Sequence, residues 1–220
     1  MKNKVFSLMI LLICILGINI IKASTTSRNL IGKVIYLDPG HGGVDPGAIY
    51  KDIYEADINL SIAKKLEKVL GENGAIVYLT RDSNYDLSLP GATYRKRSDL
   101  SRRANIINES KCDLYISLHL NSESTGIWKG AQVFYDDINH ENEVIARIFQ
   151  EELVNNLNTT REYKEISDMY LHKRVERPGV LVEVGFLSNA NDRYLLTSDD
   201  YQEKVAMVLL EAIYRYFSQK

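Results

Sequence analysis

Five short runs of nearly unbroken apolar residues recur along this chain, each closed by a turn or a polar residue. They lie at 33–38 (KVIYLD), 75–80 (AIVYLT), 113–118 (DLYISL), 131–135 (AQVFY) and 179–184 (GVLVEV). β-Branched and aromatic residues dominate them, and their length suits strands rather than helices. A strand apolar on both faces must be covered on both faces, which favours a mostly parallel sheet between helical layers. Between the runs, helical spacing takes over. Ala56, Leu60, Ala63, Leu66 and Leu70 share one side of a helix over 55–70, with Gly71 as its expected cap. Residues 97–109 and 140–157 also read as helical. Tyr201, Val205, Val208, Leu209, Ala212, Ile213 and Tyr216 form one apolar face of a last helix. This alternation predicts the α/β class, as a single three-layer αβα domain over 30–219 with a mostly parallel central sheet. A chain of 220 residues suits one such domain. Two longer loops, 81–96 and 158–178, either border a substrate groove or lie on the solvated surface.

The first residues are of another kind. Lys2 and Lys4 precede an apolar run over 5–21, followed by Lys22, Ala23 and Ser24. This is the pattern of an export signal, and 1–24 reads equally as a cleaved signal peptide or an uncleaved membrane anchor. A buried N-terminal helix is the third reading. No other segment is apolar enough to cross a membrane, so contact with a membrane is expected only through this one. Loss of 1–23 removes three lysines and no acid, and moves the formal charge from −2 to −5. A domain that acidic is a poor nucleic-acid binder. Of the two cysteines, Cys14 lies in the apolar run. That leaves Cys112 alone in the mature domain, where it is expected to be a buried, inert thiol with no disulfide partner.

Polar residues at three strand ends exceed what packing needs. After the first run comes DPGHGG with His41; after the third comes SLHLN with His119; inside the fifth stands Glu183. Glu55 opens the first helix, where the helix dipole alone would favour it by roughly 0.3–1 kcal/mol. Singly, each histidine has an ordinary reading as a turn cap or a satisfied core residue. Glu183 is harder to dismiss, because an ionised carboxylate inside an apolar strand costs several kcal/mol unless paired. It needs a cation, a donor or a proton. Two imidazoles and a carboxylate can make a three-ligand zinc site with one position open, and a second carboxylate beside it can act as general base. The spacing is dispersed and by itself leaves this open.

The residues resemble the zinc-dependent N-acetylmuramoyl-L-alanine amidases of the type 3 family. The matching segments are LDPGHGGVDPGA (37–48), YEADINLSIAKKL (54–66), VYLTR (77–81), RANIINESKCDLYISLHLNS (103–122) and RPGVLVEVGFLSNANDRYLL (177–196), in family order. The resemblance implies one Zn2+ per chain held by His41, Glu55 and His119, with Glu183 as the catalytic glutamate. The implied reaction hydrolyses the amide between the lactyl group of muramic acid and L-alanine in peptidoglycan, on glycan strands carrying stem peptides. Glu183 takes a proton from water and returns it to the departing nitrogen. Asn121 and Arg103 sit in matching segments and either orient the site or substrate, or serve as a turn residue and a helix-face ion pair. His140 and His172 match no family ligand and read as surface residues.

Further segments are similar to the cortex amidases of endospore formers: the 81–96 loop, GAQVFYDDINHENEVIA (130–146), NNLNTTREYKEI (155–166) and YQEKVA (201–206). That similarity implies removal of stem peptides towards muramic-δ-lactam during sporulation, in the cortex space of the developing spore. With no wall-binding repeat and no inhibitory helix insertion recognisable, control is expected from expression, location or a regulatory partner protein. The rival readings are a zinc peptidase or deacetylase acting on a neighbouring bond, and a non-catalytic wall-binding protein of the same fold.

Overall fold

The computed structural model describes residues 29–220; the expected signal or anchor at 1–24, with Cys14, lies outside them. Six strands form the central sheet: β1 (Val34–Pro39), β4 (Ile76–Leu79), β5 (Leu114–Asn121), β6 (Gln132–Tyr135), β7 (Lys164–Glu165) and β8 (Gly179–Phe186). Their spatial order is β4-β1-β5-β8-β6-β7. All neighbours are parallel except β6, which runs antiparallel to β8. A separate two-stranded hairpin pairs β2 (Ile49–Tyr50) with β3 (Ile53–Tyr54). All five apolar runs are strands, as expected, within two or three residues of the expected ends.

Among the described residues, five α-helices cover the sheet: α1 (Glu55–Glu72), α2 (Arg95–Ser110), α3 (Asn142–Leu157), α4 (Ala190–Leu196) and α5 (Asp199–Ser218). None of these is long and apolar enough to cross a membrane. α1, α3 and α5 pack on one face, where Ile62, Leu66, Phe149, Leu209 and Ile213 meet the strand residues Ile116, Leu118, Val133 and Val182. Each fully buried leucine or isoleucine there contributes about 1.5–3 kcal/mol. α2 covers the other face with a much smaller apolar cluster, in which Ala104 and Ile107 meet Cys112, Tyr115, Leu171 and Val175.

Three local differences from the sequence reading have physical reasons. α1 runs past Gly71 to Glu72, with Asn73 as its cap, and the left-handed turn falls at Gly74 (φ 89°). The Asn73 side-chain amide donates to the carbonyl of Val69 at 2.7 Å and holds the last turn closed. His172, expected at the surface, is only 2% exposed. The polar 158–178 loop folds back over α2's face of the sheet, and a 3-10 turn at His172–Arg174 buries the imidazole against Tyr115, whose hydroxyl lies 2.9 Å from Nδ1. Burial, with His119 nearby, pushes the His172 imidazole down to about 4, so it is neutral at ordinary pH. His140 is exposed, as expected. Cys112 is fully buried and free, and burial pushes its thiol up, away from the reactive thiolate.

Candidate active site

The C-terminal ends of β1, β5 and β8 lie side by side, and the sheet register lines up one row of residues across them. His119 pairs with Glu183, and Glu183 pairs with Gln132 on β6. Paired residues project from the same face of a sheet, so the three side chains are neighbours. Gly40, one residue past β1, completes the row: its amide donates to the carbonyl of Leu118 at 2.9 Å. A Cβ at Gly40 would collide with the imidazole ring of His119, so only glycine leaves that ring its place. Gly40→Ala is expected to displace His119 and weaken metal binding on the order of 10–100-fold. Competition with a chromogenic chelator measures this; unchanged affinity would show that His119 does not depend on that space.

His41 and Glu55 arrive from the segment that follows β1. His41 adopts a left-handed φ of 63°, unusual for a residue with a side chain and more common in His, Asn and Asp than in others. Glu55 is the first residue of α1 and is 3% exposed. Its Oε1 lies 3.2 Å from His41 Nε2 and 3.0 Å from His119 Nδ1. One ligand atom from each of these three residues falls within 4.8 Å of the others, a group that could hold a metal ion. The donor set fits zinc: two imidazole nitrogens and one carboxylate oxygen, with room for a fourth ligand. Nδ1 of His41 lies 2.9 Å from a carboxylate oxygen of Asp45, the kind of support that fixes the tautomer and leaves Nε2 free to act as a ligand. The backbone amides of Leu120 and Ala48 donate to the two Glu55 oxygens at 3.0 and 2.8 Å. Burial pushes the Glu55 carboxyl up, but hydrogen bonds from His119 and His41 outweigh it and hold Glu55 well below the ordinary carboxylate range.

Glu183 is different. It is 8% exposed, and its Oε2 is buried without a hydrogen-bond partner. Burial pushes its carboxyl up to about 7; His119 opposes this and Glu55 adds to it. An unpaired carboxyl that titrates near neutrality beside a metal-type ligand set is suited to moving protons. The cavity in front of it, about 380 Å³, is lined by His41, Glu55, His119 and Glu183, with Lys96 of α2 and Met169 of the 158–178 loop at its sides. The 158–178 loop therefore borders the site, while of 81–96 only Lys96, already on α2, lines the cavity.

Behind the His41 turn lies a charged cluster that the sequence reveals only in part. Arg103, 1% exposed, donates to Asp38 Oδ1 at 2.8 Å, to the carbonyl of Pro39 at 2.9 Å, to that of His41 at 2.7 Å and to Asp99 at 2.9 Å. Arg81, equally buried, donates to the carbonyls of Pro39, Gly40 and Ala56 at 2.9, 2.9 and 2.7 Å. Burial, then the charge of Arg103, pushes Arg81 down to about 10, still cationic near neutrality. The Thr80 and Ser117 hydroxyls donate to Asp38, each at 2.7 Å. The sequence signals for Arg81 are a cation closing an apolar run and its place at the end of the VYLTR segment. Arg103 is more than a helix-face ion pair, because it also binds the turn that carries His41. Asn121 does not line the cavity; its Oδ1 accepts from the amide of Ser122 at 2.9 Å, as a turn residue does.

Known proteins share this architecture. The profile of a family described as N-acetylmuramoyl-L-alanine amidase matches residues 35–215. The germination-specific N-acetylmuramoyl-L-alanine amidase of Bacillus subtilis is 47% identical over 198 residues, 88% of this chain and 84% of that protein. The CwlD amidase of Clostridioides difficile, solved in complex with the GerS lipoprotein, superposes with a TM-score of 0.81 at 38% identity, over 86% of this chain and all of that one. The catalytic domain of CwlV, an N-acetylmuramoyl-L-alanine amidase from Bacillus (Paenibacillus) polymyxa var. colistinus, gives 0.75 at 27% identity, over 86% and 99% of the two chains.

Proposed function

The chain belongs to the N-acetylmuramoyl-L-alanine amidase family, and from that premise we propose that it hydrolyses the amide between muramic acid and L-alanine in peptidoglycan. The observation that carries the reading is Glu183, a buried and unpaired carboxyl beside three converging metal donors. A zinc ion held by His41, Glu55 and His119 would supply the Lewis acid that activates water and polarises the amide carbonyl. Glu183 accepts the proton of the attacking water and delivers it to the departing L-alanine nitrogen. Asp45 holds the His41 ring, and Arg103 holds the backbone on which that ring stands. Asn121 shapes the turn after β5.

The likeness to a germination-specific relative supports a finer role: stripping stem peptides on the way to muramic-δ-lactam in spore cortex during sporulation. Residues 1–24 then act as an export signal or membrane anchor, which takes the protein to the wall. The C. difficile relative was solved with a lipoprotein, and an accessory protein of that kind is our expectation here.

Digestion of purified cortex and vegetative peptidoglycan, followed by mass spectrometry, tests the reading. Free stem peptides with an L-alanine N-terminus are expected, and their release should stop with a chelator and resume with added zinc. Acetate release or shortened stem peptides would assign the chain to a deacetylase or peptidase instead.

A further inference from the structure

The row of side chains that begins at Gly40 and His119 does not stop at Glu183. Its next member, Gln132, is 6% exposed and hydrogen-bonded through both ends of its amide. Its amide nitrogen donates to the carbonyl of Glu162 at 2.7 Å, and its oxygen accepts from Arg161 through Nε, at 2.7 Å, and through Nη2. Arg161 is thereby fixed one side chain beyond the residue that neighbours Glu183. Its guanidinium lies over two aromatic rings, 5.0 Å from the centre of Phe186 and 5.4 Å from that of Trp128. It makes no ion pair with any carboxylate among the described residues. Trp128 is 59% exposed and Ile127 76% exposed. The groove they share is also lined by Lys129 and Lys164, against one carboxylate, Glu162. On a chain of formal charge −2, this is a cationic groove with an aromatic wall.

We propose that this groove seats the stem-peptide half of the substrate, with Arg161 binding a peptide carboxylate and Trp128 packing against the adjoining chain. The inference rests on the amidase reading and gives it a direction. Glu183 hands its proton to the leaving nitrogen, so the peptide half lies on the side of Glu183 away from His119. Along the row that direction leads to Gln132 and Arg161. A guanidinium lying over two rings, influenced by Asp192 but in no ion pair with it, suits a carboxylate ligand better than a neutral sugar.

Trp128 is the only tryptophan of the chain, so its fluorescence reports on the groove directly. The full-length protein, without added metal, is titrated with L-alanyl-glutamate amide and with L-alanyl-glutamine amide, two peptides that differ by one carboxylate. A saturable signal is expected for the acidic peptide, with binding about tenfold weaker for the carboxamide. Arg161→Gln should bring the acidic peptide down to the carboxamide's affinity, and Arg161→Lys should restore part of the difference. In hydrolysis of acidic stem-peptide substrates, Arg161→Gln should raise KM about tenfold with little change in kcat. Equal binding of the two peptides by the native protein, or equal weakening of both by Arg161→Gln, would overturn the proposal. Because binding is read without turnover, a selective signal in a protein that releases no stem peptides would support the groove and sink the amidase reading.

Discussion

Glu183→Gln is expected to lower kcat by about 10²–10⁴-fold while leaving metal affinity within a few-fold of the native value. The amide keeps the shape of the side chain but can neither take a proton from water nor return one to nitrogen. Retention of full activity would remove Glu183 from the chemistry. The same substitution has a signature in the metal-free protein. Burial raises the folded Glu183 carboxyl to about 7, above its ordinary 4.5. An acid raised on folding contributes its stability below the unfolded value and loses it as pH climbs through the folded one. The metal-free native chain should therefore lose on the order of 3 kcal/mol between pH 4.5 and 7 through this group, and Glu183→Gln should abolish that slope. Denaturant midpoints measured across that range check it.

The second large effect is expected behind the metal donors. Arg103→Met leaves Asp38 buried without its cation, a loss of about 3–5 kcal/mol. It also frees the carbonyl of His41, so metal affinity should fall with stability. The double variant Asp38→Asn, Arg103→Met removes both charges and should recover part of the loss, because the two sites share one interaction. A cost below about 1 kcal/mol for Arg103→Met would mean that the cluster tolerates an orphaned carboxylate. Acid provides an independent check. Burial pushes the Asp38 carboxyl up, but Arg103 and the hydroxyls of Thr80 and Ser117 outweigh it and hold Asp38 at about 2, below its ordinary 3.8. Stability from this group is present above about pH 4 and is lost as pH falls towards 2, on the order of 2 kcal/mol. Asp38→Asn should flatten that acid limb.

The strands and long helices are legible because burial leaves a periodic mark: Ile35, Leu37, Ile116 and Leu118 are apolar on a sheet closed from both sides. The two-residue strands β2, β3 and β7 leave no such mark, since only neighbouring chain holds them in place. α4 does carry a signal, in Asn189, whose side chain accepts from the amides of Asn191 and Asp192. His41, Glu55, His119 and Glu183 stand out as residues through ordered motifs, while their convergence is read only through the family resemblance, because 142 positions of chain separate the first from the last. His172 shows the limit from the other side. A polar loop reads as surface, yet folding carries one imidazole from it beneath the sheet.

The carbonyls of Pro39, Gly40 and His41 are all bound by guanidiniums that owe nothing to a metal. The large apolar cluster includes none of the three candidate donors. This is the opposite of a zinc finger, whose chain collapses only around its ion. We expect the polypeptide to fold first and to take up an ion afterwards, so that a stripped molecule stays a vessel that can be refilled.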